Sequence, residues 1–226
     1  MTRKIKIAID GPAASGKSTT ARLLAKKLGY LYIDTGAMYR AATLAVLRAG
    51  VDVNDEEAVA RCVKNSTIGL RIENGAQKTM LNGEDVSTLI RTPEINRVIS
   101  IVSSYPEVRK ILIEQQRALA RNGGVVMDGR DIGTVVLPDA ELKVFLVASL
   151  DERARRRQLE LEKQGIYLSL DEIKEEIARR DKLDSERAMS PLRKAEDARE
   201  LDTTHLTIEQ QVATIYRWAQ EILKKI

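Results

Sequence analysis

The stretch Gly11-Pro12-Ala13-Ala14-Ser15-Gly16-Lys17-Ser18 constrains what this chain can fold into more than any other. Ahead of it, Ile5-Lys6-Ile7-Ala8-Ile9-Asp10 alternates and is β-branched, which predicts a strand. Behind it, the residues from Thr19 to Leu28 have helical spacing and stop at Gly29, the residue type suited to the left-handed position after a helix. Strand, glycine-rich turn and helix form the setting in which backbone N–H groups curl around a polyphosphate. Glycine permits close approach of the main chain, and the helix N-terminus adds positive potential. In such a setting Lys17 reaches the β- and γ-phosphates and the Ser18 hydroxyl ligates Mg²⁺. The expected contacts to a nucleoside triphosphate therefore run through Gly11, Pro12, Ala13, Ala14, Ser15, Gly16, Lys17, Ser18 and Thr19.

The rest of the chain alternates strands with helices. Tyr30–Asp34, Val125–Asp128, Leu142–Val147 and Leu201–Thr203 read as further strands, apolar rather than alternating, as expected for a parallel sheet covered on both faces. Helices are expected from Thr35 to Arg48, from the cap-like Asn54-Asp55-Glu56-Glu57 towards Val63, from Pro93, and from Pro106 to Arg121. Ser149 and Ser169, each followed three residues on by glutamate, read as capping boxes opening two charged helices joined through Gly165; Thr207 opens a final amphipathic helix. Between residues 66 and 86 the pattern changes. Ile68–Ile72 and Lys78–Leu81 flank Glu73-Asn74-Gly75-Ala76, and Asn82-Gly83 follows, which predicts a small antiparallel insert. The expected class is thus α/β with a central five-stranded parallel sheet.

Composition narrows this further. Aromatic residues make up 4% of the chain, so the core must be aliphatic. Cys62 is the only cysteine, which excludes an internal disulfide and suits a reducing compartment. Met1-Thr2-Arg3-Lys4 runs directly into the first strand without a signal peptide, no apolar run approaches membrane-spanning length, and the expected location is cytoplasmic. His205 is the only histidine, leaving a His-based mechanism almost no material.

Ligands of an open α/β sheet bind at the carboxyl ends of its strands. After the second strand come Asp34, Thr35 and, one helical turn on, Arg40. After the third come Gly129, Arg130, Asp131 and Gly133, and after the fourth a helix with Arg153, Arg155, Arg156 and Arg157. Asp128 ends an apolar strand, where a carboxylate can hold Mg²⁺ directly or through water; capping a turn is the bland alternative. Arg130 suits bidentate phosphate binding and Asp131 can accept from an exocyclic amine, unless the two simply pair with each other. Arg180, Asp184 and Arg187, spaced i, i+4 and i+7, are expected on one helix face, either as part of the site or as an exposed ladder. The arginine-rich helix pair reads as a solvated charged face or as a mobile lid.

With these residues assembled, the chain resembles the bacterial cytidylate kinases, a family of nucleoside monophosphate kinases, along essentially its whole length. The resemblance rests on Ile9-Asp10-Gly11-Pro12 with Gly16-Lys17-Ser18, on Asp34-Thr35-Gly36-Ala37-Met38-Tyr39-Arg40, and on Gly83-Glu84-Asp85-Val86-Ser87 with Ile90-Arg91-Thr92. It continues through Asp128-Gly129-Arg130-Asp131-Ile132-Gly133-Thr134-Val135-Val136, Arg153-Ala154 with Arg156-Arg157, and Arg179-Arg180-Asp181 with Asp184 and Arg187. It implies a P-loop NTPase-type three-layer fold, an acceptor-binding insert holding the small antiparallel sheet, and a helical arginine-rich lid. The implied division assigns 1–34 to the core, 35–122 to the acceptor-binding region with its β insert near 66–86, and 123–150 to the core. Residues 151–188 would be the lid and adjoining helix, and 189–226 the last strand and helix of the core. By position, Thr35, Arg40, Arg130 and Arg180 would clamp the acceptor's monophosphate, while Ser100, Arg109 and Asp131 would read cytosine. Asp184 would bind the ribose hydroxyls and Arg187 would bridge ribose and transferring phosphate. Arg153, Arg156 and Arg157 would close over ATP, and Arg155 receives no role. Lys17, Arg130, Arg156, Arg180 and Arg187 would carry the transfer, with Ser18 and Asp128 at Mg²⁺.

The activity implied is transfer of the ATP γ-phosphoryl group to CMP or dCMP, by a monomer that uses neither nucleic acid nor a membrane. Alternatives are a kinase of the same type acting on another acceptor, such as UMP or shikimate, and a nucleotide-dependent switch or nucleic-acid-binding ATPase. The chain has no Asn-Lys-x-Asp guanine-reading stretch to support a GTP switch.

Overall fold

Strand β1 (Lys6–Asp10) is the middle strand of the larger sheet: Ile7, Ala8 and Ile9 are fully buried, and β1 is hydrogen-bonded on both sides. The computed structural model describes residues 4–73, 76–163 and 165–225, with only the main chain at Ile72 and Ala76. Met1-Thr2-Arg3 and the centre of the Asn74-Gly75 turn, both read from sequence above, lie outside the described residues. Helix α1 (Lys17–Leu28) follows the glycine-rich turn, closes on Gly29 at φ 66°, and leads to β2 (Leu31–Asp34). Strands β6 (Val125–Gly129), β7 (Leu142–Val147) and β8 (Arg199–Asp202) complete a sheet of order β2-β6-β1-β7-β8. The registers are parallel, with Ile9 opposite Asp128 and Val144, and Leu146 opposite Leu201.

The chain forms two compact units. One joins the chain up to Tyr32 with everything from Asn122 onward; the other is Ile33–Arg121. In the first, Ile5, Ile7, Ile9, Leu24, Val126, Val144 and Leu146 pack with Val212 and Ile215 of the last helix, α8 (Ile208–Leu223). Each such aliphatic side chain, fully buried, contributes about 1.5–3 kcal/mol, so an aliphatic core suffices without aromatics. A separate small cluster, Ala154, Leu161, Ile173 and Ile177, joins α6 (Leu150–Glu162) to α7 (Leu170–Glu186) and is packed by Ala14 of the glycine-rich turn.

The second unit consists of α2 (Thr35–Arg48), α3 (Glu56–Lys64), a three-stranded antiparallel sheet of β3 (Ile68–Glu73), β4 (Ala76–Leu81) and β5 (Glu84–Asp85), then α4 (Pro93–Val102) and α5 (Pro106–Leu119). Asn82 and Gly83 both have positive φ, 52° and 86°, the conformation of the tight β4–β5 turn that an Asn-Gly pair favours. Its core gathers Met38, Val46, Val59, Ile90, Ile95 and Leu112.

Several helix ends differ from expectation. Asp55 rather than Asn54 caps α3, accepting from Ala58 N at 2.9 Å; the residue three beyond Asp55 is alanine, so no reciprocal bond forms. Ser149 accepts from Glu152 N, but the Glu152 carboxylate turns to Arg155 and Arg156, and Ser149 N donates to Thr204 Oγ1. The capping boxes at Ser169 and Thr207 form in full. Helix α7 ends at Glu186, and Arg187 is already extended. The expected one-face row of Arg180, Asp184 and Arg187 is therefore broken at its last member. Between β6 and β7, Ile132–Val136 winds into a short wide turn in which the Asp131 carbonyl accepts from Val135 N and Val136 N.

Gly11 sits at φ 149°, and a Cβ there would stand 2.2 Å from the Leu146 carbonyl oxygen. Gly11→Ala should therefore strain the β1–turn junction by about 2 kcal/mol or more. That lowers the thermal unfolding midpoint by roughly 5 °C or more; a midpoint within a degree of wild type would contradict this reading of the junction.

Candidate active site

The glycine-rich turn is shaped by its left-handed residues: Ala14 at φ 58° and Gly16 at φ 92° turn the chain into the N-terminus of α1. Lys17, on the first turn of α1, donates to Pro12 O at 2.5 Å and reaches Ser15 Oγ at 3.3 Å. Its ammonium is buried, and burial together with the nearby Arg130 and Arg180 guanidiniums lowers its pKa well below the usual lysine value, against the opposing pull of Asp128 and Asp10. Charge is thus held here at a cost that an anionic phosphate would relieve.

At the end of β6, both oxygens of Asp128 are engaged: Ser18 Oγ donates to Oδ2 at 2.8 Å and Tyr32 OH to Oδ1 at 2.9 Å. A carboxylate and a hydroxyl facing each other beside a phosphate turn are hard oxygen ligands, and they fit Mg²⁺, which binds through one or two protein oxygens plus phosphates and water. Among the described residues, no group of three or more His, Cys, Asp or Glu is placed to cage a metal by itself.

Past Asp128 the chain delivers Arg130 and Asp131, and each meets a charged partner on or just after α7. Arg130 Nε donates to Asp184 Oδ2 of α7 at 2.7 Å. Asp131 lies 3.5 Å from an Arg187 guanidinium nitrogen, and a second Arg187 nitrogen is 3.9 Å from Asp184. Arg187 Nε donates to Ser190 O at 2.6 Å, which fixes the extended turn after α7. Burial alone would raise the Asp184 carboxyl, but Arg130, Arg180 and Arg187 together hold it below the usual carboxylate range. Burial and the Arg130 charge push Arg180 down, whereas at Arg130 burial is outweighed by the Asp184, Asp181 and Asp128 carboxylates together, which hold it up. Asp184 thus faces three arginines, Arg130, Arg180 and Arg187.

The arginines of α6 divide. Arg153 donates to Ala148 O at 3.1 Å and Ala13 O at 3.3 Å and pairs with Asp181, which also accepts from Ala13 N at 3.2 Å. Arg156 donates to Glu152 at 3.0 Å, Ser15 O at 3.4 Å and Thr203 O at 2.6 Å. Arg157 pairs with Glu160 at 3.2 Å and its charge is felt by Arg180; Arg155 is exposed and pairs with Glu152 at 3.3 Å. Thr19 is exposed on α1.

In the second unit, Asp34 caps α2 by accepting from Ala37 N at 2.9 Å, and Arg91 lies 3.3 Å from the same carboxylate. Thr35 is buried at the first position of α2, and Arg40, a turn further on, donates to Asn96 Oδ1 of α4. Ser100 lies half-buried on α4. Arg109 of α5 is fully buried, donates to Ser103 O at 3.1 Å and stacks 5.3 Å from the centre of the Tyr39 ring. A guanidinium over an aromatic face is a favourable contact.

Two residues that sequence reasoning did not single out join the first unit's site. Tyr32 is the second donor to Asp128. Asp10, the last residue of β1, accepts from Ile132 N at 2.8 Å and Gly133 N at 2.7 Å and so pins the turn that follows Asp131. The signal for Asp10 was present: like Asp128, it is a carboxylate ending an apolar strand.

A family model described as cytidylate kinase matches residues 7–221. A cytidylate kinase of Bacillus thuringiensis is 56% identical over 215 residues, covering 95% of this chain and 96% of the relative. One of Bacillus cereus matches with the same identity and coverage. Among solved structures, an uncharacterised protein of Eubacterium ventriosum aligns over 97% of this chain and 99% of its own, with a TM-score of 0.51 and 13% identity, a likeness of fold.

Burial pushes the Asp10 carboxyl up from 3.8 to about 6, with two backbone donors opposing and Asp131 adding to the rise. The folded chain therefore keeps this proton at higher pH than the unfolded chain. Its stabilising contribution is complete below pH ~4 and is lost as pH rises through about 6, a change of about 3 kcal/mol. Asp10→Asn cannot titrate, so its stability relative to wild type should improve by about that amount between pH 4 and pH 7 in denaturant unfolding. A difference that does not vary with pH would contradict the raised value.

Proposed function

The chain belongs to the cytidylate kinase family, and we propose that it transfers the γ-phosphoryl group of ATP to CMP or dCMP, giving ADP and CDP or dCDP. The observation that carries this reading is the shared surroundings of Lys17, Arg130 and Arg180. A lysine of a phosphate turn is held beside arginines delivered from β6 and α7. Such clustered cations suit chemistry in which charge spreads over the oxygens of a transferring phosphoryl group. Family membership supplies the acceptor.

In this reading the acceptor's phosphate oxygen attacks the γ-phosphorus in line as the bond to the bridging oxygen breaks, and ADP leaves with those electrons. The main chain from Gly11 to Thr19 cradles the ATP phosphates, and Lys17 neutralises the β- and γ-oxygens. Arg153 and Arg156 act through the turn whose carbonyls they hold, and Arg157 acts on ATP directly. Ser18 and Asp128 would hold Mg²⁺, which supplies charge neutralisation across the phosphates when bound. Thr35, Arg40, Arg130 and Arg180 bind the acceptor's phosphate; Asp184 binds the ribose; Arg187 follows the transferring group. Ser100, Arg109 and Asp131 recognise the base, with Asp131 accepting from the cytosine amine. No base is needed to activate an acceptor that is already an anion.

A carboxylate that accepts from the amine of cytosine would face the O4 acceptor of uracil unpaired, at a cost of about 1–3 kcal/mol. CMP and dCMP should therefore outperform UMP, AMP and shikimate when ADP release is followed with each acceptor; no turnover with CMP would overturn the proposal. Lys17→Ala should abolish transfer. Asp131→Ala should reduce the preference for CMP over UMP about ten-fold or more, and a variant with wild-type preference removes Asp131 from base recognition.

A further inference from the structure

We infer that Asp10 is a positioning residue for acceptor selection: by holding the two peptide N–H groups that follow Asp131, it fixes the direction in which the Asp131 carboxylate points. The inference rests on the reading of Asp131 as the group that recognises the cytosine amine.

Three observations carry it. Asp10 Oδ1 accepts from Ile132 N at 2.8 Å and Oδ2 from Gly133 N at 2.7 Å, so both oxygens of one buried carboxylate are spent on consecutive peptides. Those peptides come directly after Asp131, whose own carbonyl is held by Val135 N and Val136 N. Asp131 thus has a main chain tied on one side by β1 and on the other by its own wide turn, which sets the direction in which its Cα–Cβ bond leaves the chain, while Arg187 lies 3.5 Å from its carboxylate. The turn is also closely packed: a Cβ at Gly133 would stand 3.1 Å from the Lys143 side chain of β7.

The arrangement is also placed at a junction. Asp10 immediately precedes Gly11, so the residue whose main chain opens the phosphate turn has the side chain that secures the acceptor turn. A carboxylate suits this position because it alone among side chains of this length offers two acceptors and no donor. Asparagine has nearly the same shape but sets an NH₂ group against one of the two peptide N–H groups, loosening that peptide without removing the side chain.

The test compares kcat/KM for CMP and UMP in wild type, Asp10→Asn and Asp131→Ala, together with KM for ATP and the thermal midpoint. The inference expects Asp131→Ala and Asp10→Asn each to lower the CMP-to-UMP ratio about ten-fold, with KM for ATP in Asp10→Asn within about two-fold of wild type. If Asp131→Ala lowers the ratio and folded Asp10→Asn does not, the inference fails while the reading of Asp131 stands. Equal rises in KM for ATP and CMP with an unchanged ratio also overturn it, since Asp10 would then serve only the phosphate turn. If Asp131→Ala itself keeps the ratio, both fall. Should Asp10→Asn not fold, Asp10→Glu, which keeps the two acceptors but moves them by one methylene, is read in the same way.

Discussion

Lys17, Arg130 and Arg180 bring three basic side chains into one buried region, and much of the first unit is arranged to make that tolerable. Burial and mutual repulsion lower Lys17 and Arg180, while Asp184, Asp181 and Asp128 oppose this and keep Arg130 firmly charged. A site of that kind is costly to hold together without carboxylates, and most valuable to a ligand that is itself multiply anionic. The carboxylates come from different elements, Asp128 from β6, Asp181 and Asp184 from α7, so the charge balance also ties those elements together.

Two of these acids, and Asp10 with them, have a further task. Asp128 takes hydroxyl donors from α1 and β2, Asp181 takes both Ala13 N and Arg153, and Asp10 takes two consecutive peptides. A buried carboxylate with two well-directed donors is a rigid joint, because losing either donor leaves an oxygen unsatisfied in a low-dielectric surrounding. The phosphate turn is thus held by ionic and hydrogen-bonded joints as much as by its glycines.

The fold was largely legible in the sequence because its strongest signals are local. The strand–turn–helix at residues 5–28, the Asn82-Gly83 hairpin and the Pro93 helix start each depend on residues a few positions apart, and each forms as read. What escaped was long-range. Nothing near Arg130 says that its partner is Asp184 rather than its neighbour Asp131, and nothing near Asp128 names Tyr32. Helical spacing put Arg187 in line with Asp184, but the helix stops one residue earlier, and Arg187 reaches Asp131 and Asp184 from an extended turn. Glu152 matched a capping box by spacing and was drawn instead to two arginines on its own helix, a competition between neighbours that a motif does not weigh.

The arginine-rich helices show how the two kinds of information combine. From charge density alone α6 reads as a solvated face. Yet Ala154, Leu161, Ile173 and Ile177 give α6 and α7 a small apolar core of their own, closed by Ala14 of the phosphate turn. Arg153 and Arg156 bind the main-chain carbonyls of Ala13 and Ser15, so α6 is attached to the turn at successive points. A carbonyl tied to a guanidinium orients its peptide, and with it the N–H groups on which phosphate binding depends. Displacing α6 would therefore disturb the turn as well as remove charge. On that basis Arg153 and Arg156 shape the glycine-rich turn through its backbone. Arg157 differs: its partner Glu160 lies on its own helix, and its charge reaches Arg180 and not the main chain of the turn.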